Sequence, residues 1–355
     1  MKRLSTLLLL AMTMLTVTAK PTDNVIKVNA GDAESLLDAI QQANTRNADS
    51  LRSEWLYILI PDGTYNLGNR VLTTLTGHHV ALIGQSMTGT IIMNKPDVEN
   101  EGISKTATLR LMTSDTYLQD LTLKNAMEYY KAKSAGRAVC LQDKGTRTIC
   151  KRVRMLSHQD TYYSDNEKGQ MYFENAEIHG TVDFICGPAD VYFNRCAIVT
   201  EARNLDGSGR NVIAAPRTVG TPWGYVFESC VVYNRESDFQ WARGWKATPR
   251  CVWLNTTLMN PERLRTPRFD DDGLRAVPDN FKEYHTMDAE GRDITPESNV
   301  VLFKSKEQGE LSHETIMKAD EAKRYELKKI FPCWRPEKIV EKMEPRVRLL
   351  KQQAW

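Results

Sequence analysis

The sequence predicts an all-β solenoid: a parallel β-helix with an N-terminal helical cap and a C-terminal helical segment. The first observation is an internal repeat. One pattern recurs: an apolar residue, two others, a small or apolar residue, one other, and an apolar residue. It reads Leu118, Leu121, Leu123; Cys150, Val153, Met155; Phe173, Ala176, Ile178; Phe193, Cys196, Ile198; Phe227, Cys230, Val232; and Trp253, Thr256, Leu258. The second is the spacing: units follow one another at 32, 23, 20, 34 and 26 residues, with no helical pattern between them. Short repeats that each carry one strand stack into a solenoid, and uneven intervals place loops of different length on one face. Alternation alone leaves strand direction open, so an antiparallel sandwich is the competing architecture. The third is a change of character near the end, where the strand pattern stops.

In chain order, MKRLSTLLLLAMTMLTVTA has a basic start at Lys2 and Arg3, an apolar stretch from Leu7 to Val17, and small residues before Ala19. This is the pattern of a secretory signal peptide over residues 1–19. Leu36, Leu37 and Ile40 then recur at helical spacing, with Asp32 or Ser35 as the cap. Trp55 to Tyr65 is a strand running into a Pro-Asp-Gly turn, and His79 to Gly84 is the next strand. The repeat units follow. From His313 the chain reads HETIMKADEAKRYELKKIF, then a Pro-rich turn and a charged tail, a helical cap over about 313–355. A solenoid needs such ends, because a bare terminal rung invites edge pairing. No Pro-, Gly- or Ser-rich linker divides residues 20–355, so a single domain is expected.

The composition excludes several classes. Hydrophobic residues are 41% and charged residues 26% of the 355, which excludes a disordered chain. Lys and Arg total 47 against 45 Asp and Glu, so this is no polybasic nucleic-acid binder. Removing residues 1–19 takes Lys2 and Arg3 and no acid, bringing the net charge of +2 to zero. No later apolar run reaches the ~20 residues that span a bilayer, so no membrane insertion is expected. The seven cysteines are Cys140, Cys150, Cys186, Cys196, Cys230, Cys251 and Cys333. They form no CxxC pair, so no zinc site is suggested, and several occupy inward positions of the repeat, where a thiol is an ordinary core residue.

The chemistry points to the middle of the chain. Ser157-His-Gln-Asp-Thr-Tyr-Tyr163 and His179-Gly-Thr-Val-Asp-Phe-Ile-Cys-Gly187 follow consecutive repeat units. Asp160 lies five residues beyond Met155, and Asp183 five beyond Ile178. Equal offsets on stacked coils make the two carboxylates neighbours, on strands about 4.8 Å apart. Neighbouring carboxylates in different surroundings split their pKa values, so one stays ionised and attacks while the other keeps a proton to donate. A lone Asp in such a place is more often a turn cap; a matched pair beside Gln159 favours function.

These two blocks resemble the pectin methylesterase (pectinesterase) family. So do Lys105-Thr-Ala-Thr108, Asp120 to Asn125, Ala138-Val-Cys-Leu141, and Arg243-Gly-Trp-Lys246 with Pro249 to Thr256, a resemblance over roughly residues 27–340. It implies a right-handed, single-stranded parallel β-helix that hydrolyses galacturonate methyl esters in pectin without a metal or other cofactor. It implies Asp183 as nucleophile, Asp160 as general acid and base, Gln159 as oxyanion donor, and Arg243 as the partner of the nucleophile. Trp245, Arg137, Phe184 and Trp223 are the candidate substrate-binding residues. The sequence departs from the family pattern at four places. Arg137 stands where a second Gln is usual, and Gly244 replaces the proline of Gly-Arg-Pro-Trp. Cys186 replaces a second Phe, and His158 replaces a Tyr before Gln-Asp, where a solvent-facing side chain is expected. The loop after Asn204 and the segment Thr218 to Trp223 are expected to border the groove.

The competing functions are a deacetylase of the same fold, a lyase or galacturonan hydrolase, and a non-catalytic β-helix that binds acidic polysaccharide. A lyase would want calcium-binding carboxylates, and a hydrolase a denser Asp cluster. The expected partner is pectin or homogalacturonan, the expected state a monomer, and the expected location periplasmic or extracellular.

Overall fold

The structure is a computed structural model that describes residues 24–51 and 53–355; the expected signal peptide lies outside the described residues. Its main body is a parallel β-helix. One all-parallel sheet has 16 strands and a second has seven, among the described residues. Consecutive coils pair in parallel, which removes the antiparallel sandwich.

The repeat residues stack in register. Cys150 pairs with Leu118 and with Phe173, Phe173 with Phe193, Phe193 with Phe227, and Phe227 with Trp253. The last apolar position stacks likewise: Leu123, Met155, Ile178, Ile198, Val232, Leu258. The rings of Phe193 and Phe227 lie parallel at 4.5 Å, and those of Phe227 and Trp253 at 3.8 Å. This column is the spine of the buried core.

Why the spacing is one, four, six rather than strict alternation is a backbone effect. Asp120, Arg152, Asn175, Arg195, Ser229 and Asn255 all have φ between 48° and 56°. Each precedes the middle apolar residue of its repeat unit. A left-handed residue bends the strand and shifts its alternation by one, so the residue after it faces inward again. The same bend separates the two limbs of the 16-stranded sheet. Asp120, Asn175 and Asn255 suit that conformation, because Asp and Asn tolerate it best among non-glycine residues, whereas Arg152, Arg195 and Ser229 adopt it without that advantage.

The N-terminal helix spans Ala33–Arg46 and is capped by Asp32, whose carboxylate accepts the N–H groups of Glu34 and Ser35. Leu36, Ala39, Ile40 and Ala43 face the core and close the first rung. The C-terminal end departs from expectation. Residues Val300–Ser305 and Gly309–Glu314 form an antiparallel hairpin, so His313 is in a strand and the helical part begins at Ala319. Nor does the tail cap the last rung. The helix Pro336–Ala354 lies on the outward face of the large sheet, where Val340, Met343, Val347 and Leu350 share an apolar cluster with Tyr57, Leu59, Ile83, Tyr117, Ile149 and Tyr192. The outward face itself is apolar there, so the tail covers a face rather than an end.

Candidate active site

The seven-stranded sheet presents one outward row of side chains. Arg110 pairs with Gln142, Gln142 with Tyr163, Tyr163 with Cys186, and Cys186 with Ala215. The next strand, Asp238–Ala242, leads directly into Arg243. A cavity of about 230 Å³ opens over this row, lined by Arg137, Gln159, Asp160, Asp183, Cys186, Ala215, Arg243 and Trp245. Six of the eight side chains expected at the site therefore meet here: Asp183, Asp160, Gln159, Arg243, Trp245 and Arg137.

Asp160 and Asp183 both have left-handed backbones, with φ of 58° and 52°. Asp is well suited to that conformation, and it interrupts the strand where each coil turns into the seven-stranded sheet. Tyr162 pairs with Ile185, so the two aspartates occupy equivalent positions on consecutive coils. Asp183 is held by Arg243 in a two-pronged ion pair, Nε to Oδ1 at 2.8 Å and Nη2 to Oδ2 at 2.5 Å. Such a fork fixes the plane of the carboxylate. Asp160 has no such partner. Burial and then the Asp183 charge push its carboxyl well above the ordinary range, and Arg137 and Arg243 only partly oppose them. The Cys186 thiol donates to Asp160 Oδ1 at 3.9 Å. The pair is thus asymmetric: Asp183 is forked to a guanidinium, while Asp160, its pKa raised by burial and by its neighbour, has no such partner.

Trp245 forms one wall. It packs against Tyr163 at 6.1 Å, and the Arg217 guanidinium lies 5.8 Å from its ring centre. Arg217 is itself tied to Glu167 at 2.7 Å. The Trp245 ring is therefore braced from two sides. The loop after Asn204 shapes a second pocket with Tyr129, Tyr130 and Arg203, which adjoins the cavity at Ala135.

Two expected substrate contacts are corrected. Phe184 is fully buried in the core. The left-handed Asp183 before it breaks the strand alternation and turns the ring inward, against Gly180, where any Cβ would lie 2.1 Å from the Phe184 Cβ. Trp223 packs on the other side of the coil, edge to face with Tyr325 at 6.0 Å. Its partner comes from the C-terminal tail, which local sequence does not reveal. His158 is not solvent-facing: it stacks on Tyr129 at 4.5 Å, and burial lowers its pKa. Gln142 is spent outside the cavity, between Arg110 and Asp165. Sequence reading missed Glu101, which holds Arg137. It also passed over Ala215, although the Tyr163–Cys186 row extended by one coil leads to it.

Beneath the site, His179 bridges Glu201 and Glu177, with Nδ1 and Nε2 each at 2.6 Å from a carboxylate. Its carbonyl accepts the hydroxyl of Thr161, next to Asp160, at 2.7 Å. Burial alone would lower the His179 pKa, but the two carboxylates override it and raise it. A raised pKa contributes stability that is complete below the ordinary imidazole value and lost as pH rises through the folded one. His179 lowers the pKa of both Glu177 and Glu201, though burial of Glu201 works against it, so their share is lost instead as pH falls. The stability gap between the parent and His179→Gln should be widest near about pH 5–6.5 and close in alkali. Urea unfolding at several pH values checks it, and a gap constant from acid to alkali would sink it.

A model of the family described as Pectinesterase matches residues 24–262. The chain belongs to the pectinesterase family. Among its curated relatives is putative pectinesterase 11 of Arabidopsis thaliana, 28% identical over 233 residues, or 65% of this chain. The chain spans 60% of that relative's length. Solved pectinesterases share the fold. Pectin methylesterase PemA from Erwinia chrysanthemi superposes with a TM-score of 0.65 at 22% identity, covering 90% of this chain and 99% of that one. The pectin methylesterase from carrot gives 0.67 at 18% identity, covering 88% and 94%. Membership accords with the long parallel coil and with the aspartate blocks lying inside the matched region. Among the described residues, no helix is long and apolar enough to cross a membrane.

Proposed function

We propose that this chain is a carboxylic ester hydrolase that removes methyl esters from galacturonate residues of pectin. The observation that carries the reading is the asymmetric carboxyl pair: Asp183 forked to Arg243, and Asp160 buried beside it without a cation of its own. Family membership supports the substrate class, as does a similar solved structure of a pectin methylesterase in complex with a hexasaccharide.

In this reading the Asp183 carboxylate attacks the ester carbonyl. Negative charge moves to the carbonyl oxygen, where the amide of Gln159, a residue lining the cavity, is the donor in this reading. The tetrahedral adduct collapses, the C–O bond to the methoxy group breaks, and Asp160 gives its proton to the departing methanol. An anhydride now joins Asp183 to the sugar carboxyl. Asp160, left ionised, takes a proton from water as that water attacks the anhydride. Both aspartates then return to their starting states. Arg243 holds the Asp183 carboxylate aimed, and Trp245 offers a flat apolar face to a sugar ring. Export to a periplasm or the cell exterior, and action as a monomer on pectin, belong to the same proposal.

The test is methanol and acetate release from methylated, acetylated pectin by the purified protein. Methanol is the expected product. Acetate alone would move the reading to a deacetylase, and neither product to a binding protein.

A further inference from the structure

The cavity is lined by two arginines, Arg137 and Arg243, and two aspartates, with Glu101 behind Arg137, and their pairing is selective. Arg243 is taken by Asp183. Arg137 is taken by Glu101: its Nε lies 3.3 Å from Glu101 Oε2, and its Nη2 3.3 Å from Oε1. Glu101 is itself fixed in place. It accepts the backbone N–H of Arg137 at 3.0 Å and the hydroxyl of Ser134, and its side chain is only 11% exposed. Burial alone would raise its pKa, but Ser134 and the Arg137 backbone and guanidinium override it and hold it below the ordinary value. Asp160 is left over. This matters because Arg137 pairs with Gln159 across adjacent coils, so its backbone stands one residue from Asp160.

We propose that Glu101 is a positioning residue of the site: it cages the Arg137 guanidinium at the cavity wall, cancels its charge, and keeps it from pairing with Asp160. The proposal rests on the reading of Asp160 as the proton donor. The groups that face Asp160 are Asp183, Arg243, Arg137, Glu101 and the Cys186 thiol. Asp183 and Glu101 favour its protonated form, and the two arginines oppose it. Removing Glu101 takes away one anion and frees one cation, and both changes favour ionised Asp160. Removing Arg137 does the reverse and leaves Glu101 as an uncompensated anion nearby.

The two single variants should therefore move the alkaline limb of the rate profile in opposite directions. In Glu101→Gln the limb should fall to lower pH by about one unit, the scale of a newly formed carboxylate–cation pair. In Arg137→Gln it should rise, and the double variant should return towards the parent. Arg137→Lys should keep the limb near the parent if charge compensation is what matters. An assay-independent measurement accompanies these: carboxyl carbon NMR of aspartate-labelled protein, with Asp160→Asn to assign the signal. Asp160 should titrate lower in Glu101→Gln and higher in Arg137→Gln. An unmoved Asp160 titration in folded Glu101→Gln overturns the proposal, as does a shift of the same sign in both variants. If the parent releases no methanol but the titrations move as stated, the esterase reading fails and the caging role of Glu101 survives.

Discussion

Asp183→Asn should lower methanol release from methylated pectin by on the order of 10⁴-fold or more, and Asp160→Asn should lower it comparably. The amide keeps the shape of the carboxyl but is no nucleophile, and in the second case no proton donor of matched strength. The two variants should part company in stability. Asp183→Asn leaves the Arg243 guanidinium, with its side chain only 20% exposed, without its forked partner. An uncompensated buried charge of that kind costs about 3–5 kcal/mol. Asp160→Asn removes a carboxyl that burial and Asp183 already hold protonated, so it exchanges one neutral group for another and removes the cost of protonating that carboxyl on folding. Its unfolding midpoint should stay near the parent's or rise. Turnover measured beside urea unfolding separates the cases. A folded Asp183→Asn protein that keeps more than about one-hundredth of parental turnover would exclude Asp183 as the nucleophile.

Much of this architecture was legible because a solenoid writes its contacts into the sequence at near-regular offsets. The six apolar triplets stack in the register their spacing implies. The equal offset of Asp160 and Asp183 from Met155 and Ile178 placed both in one cavity. What stayed hidden depended on backbone conformation or on distant chain. Phe184 follows a left-handed aspartate, and simple alternation assigns it to the wrong face. Trp223 is claimed by Tyr325, about a hundred residues later. Glu101 reaches Arg137 from a loop rather than from the coil repeat, so no offset announces it. The charged tail reads as an end cap because its apolar stripe does not say which surface it covers.

That tail gives the second large effect. Deleting residues 336–355 should remove most of the protein's stability while leaving the chemistry of any folded fraction intact. Val340, Met343, Val347 and Leu350 are 1–4% exposed and cover the outward face of the large sheet. At about 1.5–3 kcal/mol for each buried side chain, the four contribute on the order of 6–12 kcal/mol, an upper bound that rivals the whole stability of a domain. The deletion also strips Lys351 from Asp120, and Glu344 from Lys151 and Arg152, leaving those partly buried charges with fewer partners. Tyr57, Tyr117 and Ile149 would then be uncovered as a continuous apolar strip, so aggregation should accompany the loss. The active-site cavity lies over the seven-stranded sheet, on another face, and none of its lining residues comes from the tail. Val347→Asp is the milder form of the same test: a charge placed at a 1% exposed position should lower the unfolding midpoint sharply but spare turnover in whatever remains folded. An unchanged midpoint in both proteins would mean that the helix merely rests on the sheet. Turnover lost in step with stability would mean that the two faces are coupled through the coil.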